Sequence, residues 1–377
     1  MKKIKVGITG QSGFVGTHLY NWLKLNEKFE LVDFEDKYFE DKNVFEDFVS
    51  NCDAIVHLAA MNRHKNKEVI YDTNIKLVKQ LVDACEATNS KPHILFSSST
   101  QEERDNLYGK SKEEGRTIFE TWAAQNNTSF TGLIIPNVFG AFGKPNYNSV
   151  IATFCHKLNN NETPEIHIDG EMKLIYVNKL IDEIKIKILD QVNSKEQVIE
   201  KYLVPHQYES KVKDVLAILN QFKEKYLEKG VFPDLSNNFE KDLFNTFRTY
   251  VKNDHYPFQY TKHTDNRGAF VEIARTNSAG QFSFSTTVPG ITRGNHFHTR
   301  KAERFAVIKG KARIQLRHIG TDKVINYDLD GENPAFVDMP IWTTHNIINT
   351  GDEELVTLFW INEPFDSNDP DTYFEIV

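Results

Sequence analysis

Gly290-Ile-Thr-Arg-Gly-Asn-His-Phe-His-Thr-Arg-Lys-Ala-Glu-Arg-Phe-Ala-Val-Ile-Lys-Gly310 carries two imidazoles and a carboxylate in strand-like spacing. His296, Phe297 and His298 alternate as strand residues do, so both imidazoles point to one face, and Glu303 can return to that face a few residues on. Such a set suits a divalent transition metal such as zinc, with a fourth ligand or a water completing the shell. His345, in Pro340-Ile-Trp-Thr-Thr-His-Asn-Ile-Ile-Asn349, is the candidate fourth ligand. The competing reading makes all four polar residues that are satisfied by hydrogen bonds. The ligand types, the alternation and the second half-motif together favour a metal.

Outward from that stretch, the chain beyond Phe258 runs in short alternating segments with Gly, Asp and Asn turns, as in Ala312–His318 and Val356–Ile361. This texture predicts strands. The spacing Gly-x5-His-x-His-x4-Glu-x6-Gly resembles the first cupin motif at every position, and Pro-x4-His-x3-Asn resembles the second, with Trp342 where the second usually has glycine. The resemblance implies an all-β cupin barrel over residues 247–377. Asp265-Asn-Arg-Gly-Ala-Phe-Val-Glu272 resembles a motif near the start of cupin-type epimerases that act on 4-keto-6-deoxy nucleotide sugars, which would set Arg267 against a substrate diphosphate. A turn with Asp265 and Arg267 paired is the alternative.

The first 246 residues have another grammar. Ile4–Ile8, Phe29–Val32, Ala54–Leu58, His93–Phe96 and Thr131–Ile135 are apolar runs separated by helical patterns, which predicts an α/β doubly wound parallel sheet of Rossmann type. Between the first run and the first helix lies Gly10-Gln-Ser-Gly13-Phe14-Val-Gly16, where absent side chains let a pyrophosphate approach a positive helix end. Asp33, after the second strand, is positioned for an adenosine ribose hydroxyl, which favours NAD over NADP; it is also part of a charge-rich loop. Tyr108 and Lys112 share a helix face, and an ammonium beside a phenol is expected to lower the phenol's pKa. Ser99, with Ser98 as second choice, would hold a carbonyl by hydrogen bonding. Gln197–Glu200 and Lys211–Glu228 suggest a small helical lobe over the sheet.

Gly10, Gly13 and Gly16, the His57-Leu58-Ala59-Ala60 run, Asn74, the triple serine, and Tyr108 with Lys112 together resemble the extended short-chain dehydrogenase/reductases that act on nucleotide sugars. Pro136-Asn137-Val-Phe-Gly140 and Tyr176-Val177 fall where that family builds its nicotinamide and substrate pocket. The resemblance implies a cofactor site with Gly10, Gly13, Phe14, Gly16, Leu58, Ala59, Ala60, Asn74, Tyr108, Lys112 and Pro136. It implies substrate contacts from Ser98 and Asn137. Lys144, Lys173, Arg248 and Lys252 are candidate phosphate partners.

Composition bounds the possibilities. A chain of 377 residues with 40% hydrophobic and 26% charged residues is that of a globular protein of more than one domain. A net charge of -8 argues against a nucleic-acid surface. Long apolar runs are absent, so no membrane segment is expected, and Cys52, Cys85 and Cys155 lack metal-type spacing and suit a reducing, cytoplasmic setting.

A reductase fold joined to a metal cupin, with the closing Phe365-Asp-Ser-Asn-Asp-Pro-Asp-Thr-Tyr-Phe-Glu-Ile-Val377 and Asn146-Tyr-Asn-Ser-Val-Ile-Ala-Thr-Phe154, resembles the CapF-type bifunctional enzymes of surface-polysaccharide synthesis. That resemblance implies C3 epimerisation of a UDP-linked 4-keto-6-deoxy-N-acetylhexosamine by the cupin, then C4 reduction to UDP-2-acetamido-2,6-dideoxy-L-talose, a precursor of N-acetyl-L-fucosamine. It also implies NADPH, which Asp33 does not favour. Lys301 or a neighbouring histidine is the expected base. Two alternatives stand beside this reading: a single-activity reductase whose cupin is a dimerisation or sugar-binding module, and a non-catalytic sugar-nucleotide sensor. Cupins commonly pair through strand edges, so a homodimer is expected.

Overall fold

The computed structural model describes residues 2–194, 196–265, 268–271, 280–363 and 366–377. The chain forms two compact units: Met1–Phe139, Gly143–Val150 and Gly170–Ser210 make the first, and Gly140–Phe142, Ile151–Asp169 and Lys211–Val377 the second. They do not divide in a single cut at residue 246. Residues from Lys211 onward belong with the antiparallel sheets because their aromatic faces are buried there: Phe232 packs 4.3 Å from Trp360 between ring centroids, and the Gly230 carbonyl accepts a 2.7 Å hydrogen bond from Arg304 Nη1.

In the first unit, β1 (Ile4–Thr9), β2 (Phe29–Val32), β3 (Ala54–His57), β4 (His93–Ser99), β5 (Phe130–Ile135) and β8 (Ile199–Leu203) form a parallel sheet in the order β2-β1-β3-β4-β5-β8. A small sheet of β6 (Asn137–Phe139), β7 (Glu171–Tyr176) and β9 (Tyr208–Lys211) adjoins it in sequence. Every residue of β3 and β5 is buried, as in a sheet covered on both faces. The helices are α1 (Phe14–Lys24), α2 (Lys42–Ser50), α3 (Lys67–Thr88), α4 (Leu107–Asn126) and α6 (Val177–Asn193). Phe45 and Phe48 of α2, Val78 and Leu81 of α3, and Phe119 and Trp122 of α4 close one core with Ile55, Ile94 and Phe96 of the sheet. The caps follow from the sequence: Asn66 and Asn106 accept the first free amides of α3 and α4, and Asn89 and Asn127 end those helices at φ 51°.

Gln197–Glu200 departs from its helical expectation. Ile199 begins β8, paired parallel to Phe130, so sheet completion outweighs local helix propensity.

The second unit holds two five-stranded antiparallel sheets, an arrangement that fits a cupin-like β domain. One has the order β10 (Phe258–Gln259), β18 (Ala335–Met339), β15 (Glu303–Lys309), β20 (Leu355–Ile361), β13 (Gln281–Thr287). The other runs β17 (Val324–Asp330), β16 (Lys311–His318), β19 (Thr343–Asn349), β14 (Thr292–Phe297), β21 (Tyr373–Phe374). Ala306, Val307, Phe336 and Val337 of the first sheet meet Ile314, Leu316, Leu329 and Ile347 of the second in one core. An antiparallel pair, β11 (Lys262–Asp265) with β12 (Gly268–Val271), and helices α5 (Val150–Asn159), α7 (Val212–Phe222) and α8 (Asn238–Arg248) also belong to the unit. Among the described residues no helix is long and apolar enough to cross a membrane.

Candidate functional site

Each unit carries a cluster of chemically capable side chains. In the first, β1 runs into the glycine turn. Gly10 has φ +70°, and a Cβ there would lie 2.7 Å from the Ala59 nitrogen; a Cβ on Gly16 would lie 2.3 Å from the Gly10 carbonyl oxygen. Larger residues would therefore push the turn away from Leu58 and Ala59, which follow β3. Gly13 caps α1 without a side-chain acceptor, and the first turn holds no acidic residue. The positive helix end is left to an outside anion, so the residues present fit a dinucleotide pyrophosphate. Asp33 is exposed just past β2, and nearby Asp36 accepts a 3.1 Å bond from Ser12 within the glycine turn.

Tyr108 and Lys112 stand one turn apart on α4, with Lys112 Nζ 5.8 Å from the Tyr108 ring centroid and 4.8 Å from that of Phe96. The expected lowering of the phenol does not occur. Burial, with Tyr147 adding to it, pushes Tyr108 up to about 12, and burial pushes Lys112 down to about 7 against the opposing pull of Glu102. Desolvation acts on both members and outweighs their mutual attraction. Beside them, His57 is fully buried and pushed down to about 3 by burial and by Lys112, so it is a neutral imidazole, 2.8 Å from Thr9 Oγ1 through Nδ1.

Strand alternation separates the serines. Ser99 caps the short turn Thr100–Glu103 by accepting from Gln101 N at 3.2 Å, which leaves its own hydrogen to give. Ser98, on the other face and 3% exposed, gives its hydroxyl to Glu102, a carboxylate also bound by Arg116 and Lys201 at 3.0 and 3.1 Å. Ser98 is therefore tied into a buried ionic cluster rather than free for a ligand. Asn74 bridges Met61 N (2.7 Å) and Ser111 Oγ (3.0 Å), tying the segment after β3 to the helix of Tyr108. Pro136 is buried, Leu58, Ala59 and Ala60 are half-buried, and exposed Asn137 reaches the Lys173 carbonyl at 3.3 Å. Lys144 Nζ lies 5.2 Å from the Tyr147 ring.

In the second unit, His296, His298, Glu303 and His345 offer one ligand atom each, all within 4.8 Å of one another. The register of β14 shifts between Gly294 and His296, and His296 near its end and His298 just past it both join the cluster. Glu303 Oε2 lies 3.0 Å from His298 Nε2 and 3.1 Å from His345 Nε2, yet these three buried atoms make no hydrogen bond. Their other ring nitrogens explain why. His298 Nδ1 faces the Asp371 carbonyl and His345 Nδ1 the Thr343 carbonyl at 3.3 Å; a carbonyl only accepts, so both protons sit on Nδ1 and both Nε2 lone pairs point inward. Buried lone pairs converging without partners fit a divalent cation.

The four groups also act on one another electrostatically. Burial, with the charge of His345, pushes His296 down to about 4. Burial would raise Glu303, but His298 and His345 hold it well below the usual carboxylate range. For His298, the downward push of burial is outweighed by Glu303 and Asp371. Trp342 takes the place of the motif's glycine at φ 55°, donates its amide to the His298 carbonyl at 2.7 Å and stacks on Phe297.

Three further residues complete the account. Lys301 is 2% exposed and gives Nζ to the Pro370 carbonyl at 2.8 Å. Arg248, 2% exposed, points into its own unit and bonds the Met339 carbonyl at 3.1 Å, a core position rather than an exposed phosphate partner. Arg267 lies outside the described residues. Sequence reasoning passed over Glu102 and Asp371, whose partners are other parts of the chain. The Asp-Pro-Asp-Thr-Tyr run at residues 369–373 was the available signal for the second.

Residues 6–198 match the NAD dependent epimerase/dehydratase family, and residues 263–373 match the polysaccharide biosynthesis C-terminal domain. The UDP-2-acetamido-2,6-beta-L-arabino-hexul-4-ose reductase of Pseudomonas aeruginosa is 32% identical over 372 residues, covering 98% of each chain. Among solved structures, the capsular polysaccharide assembling protein CapF of Staphylococcus aureus is 36% identical, with a TM-score of 0.62, over 99% of this chain and 100% of that one. The UDP-glucose 4-epimerase of Thermotoga maritima, solved with UDP-glucose, is 17% identical with a TM-score of 0.54 over 66% of this chain and 98% of its own, a likeness of fold.

Proposed function

We propose, from the premise that this chain belongs to the NAD dependent epimerase/dehydratase family and within it to the CapF-type epimerase/reductases, that it acts on a UDP-4-keto-6-deoxy-N-acetylhexosamine in two steps. The antiparallel unit inverts C3 and the parallel-sheet unit reduces C4, giving UDP-2-acetamido-2,6-dideoxy-L-talose for surface-polysaccharide synthesis. The observation that carries this reading is the presence, in one chain, of a protonated buried phenol beside Lys112 and a converging set of three imidazoles and a carboxylate.

The 4-keto group makes the order of steps chemically sensible. It acidifies the C3 hydrogen by spreading the carbanion's charge onto oxygen, so inversion must precede loss of the ketone. Lys301 or a neighbouring histidine takes the C3 proton, and reprotonation from the opposite face inverts the centre. A zinc ion held by His296, His298, Glu303 and His345 would supply a positive charge that polarises the ketone or braces the barrel.

Reduction then removes the ketone. A dihydronicotinamide, NADPH in this reading, would supply the hydride for C4 when bound at the glycine turn. Tyr108 gives its proton to the C4 oxygen, and Ser99 steadies that oxygen by donating its hydroxyl hydrogen. Asp33 is the residue that would let NADH compete, and kcat/KM with each dinucleotide measures how far.

A second reading has an observation behind it. Four protein ligands would suffice for a closed shell, as in structural zinc sites, which would leave a reductase alone with a bracing or pairing barrel. One experiment separates the two. Full-length protein incubated in D2O with the UDP-4-keto sugar and no dinucleotide should place deuterium at C3 by NMR, and adding the dinucleotide should then yield the 4-hydroxy product. Reduction without prior label at C3 would leave the single-activity reading; neither event would refute both.

A further inference from the structure

The closing segment of the chain takes no part in the chemistry above, yet it pairs with the strand that carries His296 and leads into His298. β21 pairs with β14, His296 opposite Phe374 and Phe297 opposite Tyr373. Just ahead of β21, Asp371 is 2% exposed and adopts φ 42°, a left-handed conformation that aspartate tolerates better than most residues.

Both ends of Asp371 are occupied. Its main-chain carbonyl accepts from His298 Nδ1. Its carboxylate accepts four bonds from the three residues that follow that histidine: Oδ1 from Thr299 N at 3.0 Å and Thr299 Oγ1 at 2.5 Å, and Oδ2 from Arg300 N at 3.0 Å and Lys301 N at 3.1 Å. Four donors use about all the acceptor sites a carboxylate has. The neighbouring Pro370 carbonyl takes Lys301 Nζ at 2.8 Å.

Thr299, Arg300 and Lys301 lie in the connection between His298, just past β14, and Glu303, at the start of β15. Fixing the amides of that connection fixes the separation of two ligands. The carbonyl fixes a second variable, because it dictates which nitrogen of His298 carries the proton and where Nε2 aims. The geometry points to Asp371 as the positioning residue of the cation site, a clasp that holds His298 and the connection to Glu303 in ligating form. This inference rests on the metal reading above.

The test uses full-length protein stripped of metal and titrated with Co2+ against a chromophoric chelator, with the d–d absorption of the loaded protein recorded. Asp371→Ala should raise the Kd for Co2+ by about 10–100-fold, the range for outer-shell partners of ligands, and should shift the d–d bands. Asp371→Asn keeps the Oδ1 acceptor but turns N–H groups toward the amides of Arg300 and Lys301, so it should fall between; it carries the test if the alanine variant does not fold. Glu375→Gln, which touches only the ion pair with Arg317 in the same tail, should bind like the wild type. A folded Asp371 variant with wild-type Kd and spectrum would overturn the clasp alone. A wild-type protein that takes up no cation would overturn the clasp and the metal reading together.

Discussion

Lys112 and Tyr108 are each pushed by burial toward their uncharged forms, and that decides which way a proton can move. A phenol raised to about 12 stays protonated at every physiological pH, the form needed to donate to a ketone oxygen. Lys112, lowered to about 7, loses its charge in the working range. If its ammonium stabilises the phenolate left by proton donation, the reductive rate should fall as pH rises through about 7, with no compensating gain from Tyr108 below about 12. Lys112→Met should give a lower rate without that limb, and Tyr108→Phe should lose about 10²–10⁴-fold, both read from single-turnover oxidation of the dinucleotide. Full turnover by Tyr108→Phe would remove the phenol from the mechanism. Trp342 poses a different balance. Its φ of 55° costs about 1 kcal/mol against glycine, while the ring, 2% exposed and stacked on Phe297, is worth about 3–5 kcal/mol on removal. Trp342→Gly should therefore lower unfolding free energy by roughly 2 kcal/mol or more in urea; a more stable variant would show the backbone strain to dominate.

The element that joins the serines to the tyrosine, β4 with its turn into α4, is held from beneath by Glu102. Its side chain is 3% exposed and faces Ser98, Arg116 and the partly exposed Lys201. Glu102→Ala would leave the Arg116 guanidinium, 10% exposed, to Glu120 alone at 2.7 Å and should cost about 2–3 kcal/mol, whereas Ser98→Ala removes one hydroxyl and should cost about 1 kcal/mol. Equal losses in chemical unfolding would mean the ion pair contributes nothing. Elements of this kind mark where sequence reading stops. The strands β1 to β5, the glycine turn and the histidine spacing were legible because each depends on residues near in the chain. β8 was missed because pairing with β5 decided it, and Glu102 and Asp371 were missed because their partners lie 14 to 99 and 70 to 73 positions away. The phenol's direction was misjudged for a related reason: spacing reveals the neighbouring ammonium but not the depth of burial.

At the scale of the whole molecule, the antiparallel unit leaves an apolar sheet edge in view. β13 ends the sheet beyond β20 among the described residues, and it alternates half-buried serines with Phe282 and Phe284, 51% and 69% exposed. Val288 and Ile291, at 59% and 49%, follow it in sequence. A strand at the edge among the described residues with two exposed aromatic rings invites pairing, and a twofold axis lets the same edge serve both partners. We therefore expect a homodimer formed through β13 and seen as twice the chain mass by light scattering at micromolar concentration. Phe284→Lys should shift it to monomer, because a charge placed in the new contact must be desolvated without a partner, while exposure of the site in the monomer keeps the cost to folding small. A dimer that survives Phe284→Lys would move the interface elsewhere, and a monomeric wild type would mean that the exposed rings serve some contact other than self-association.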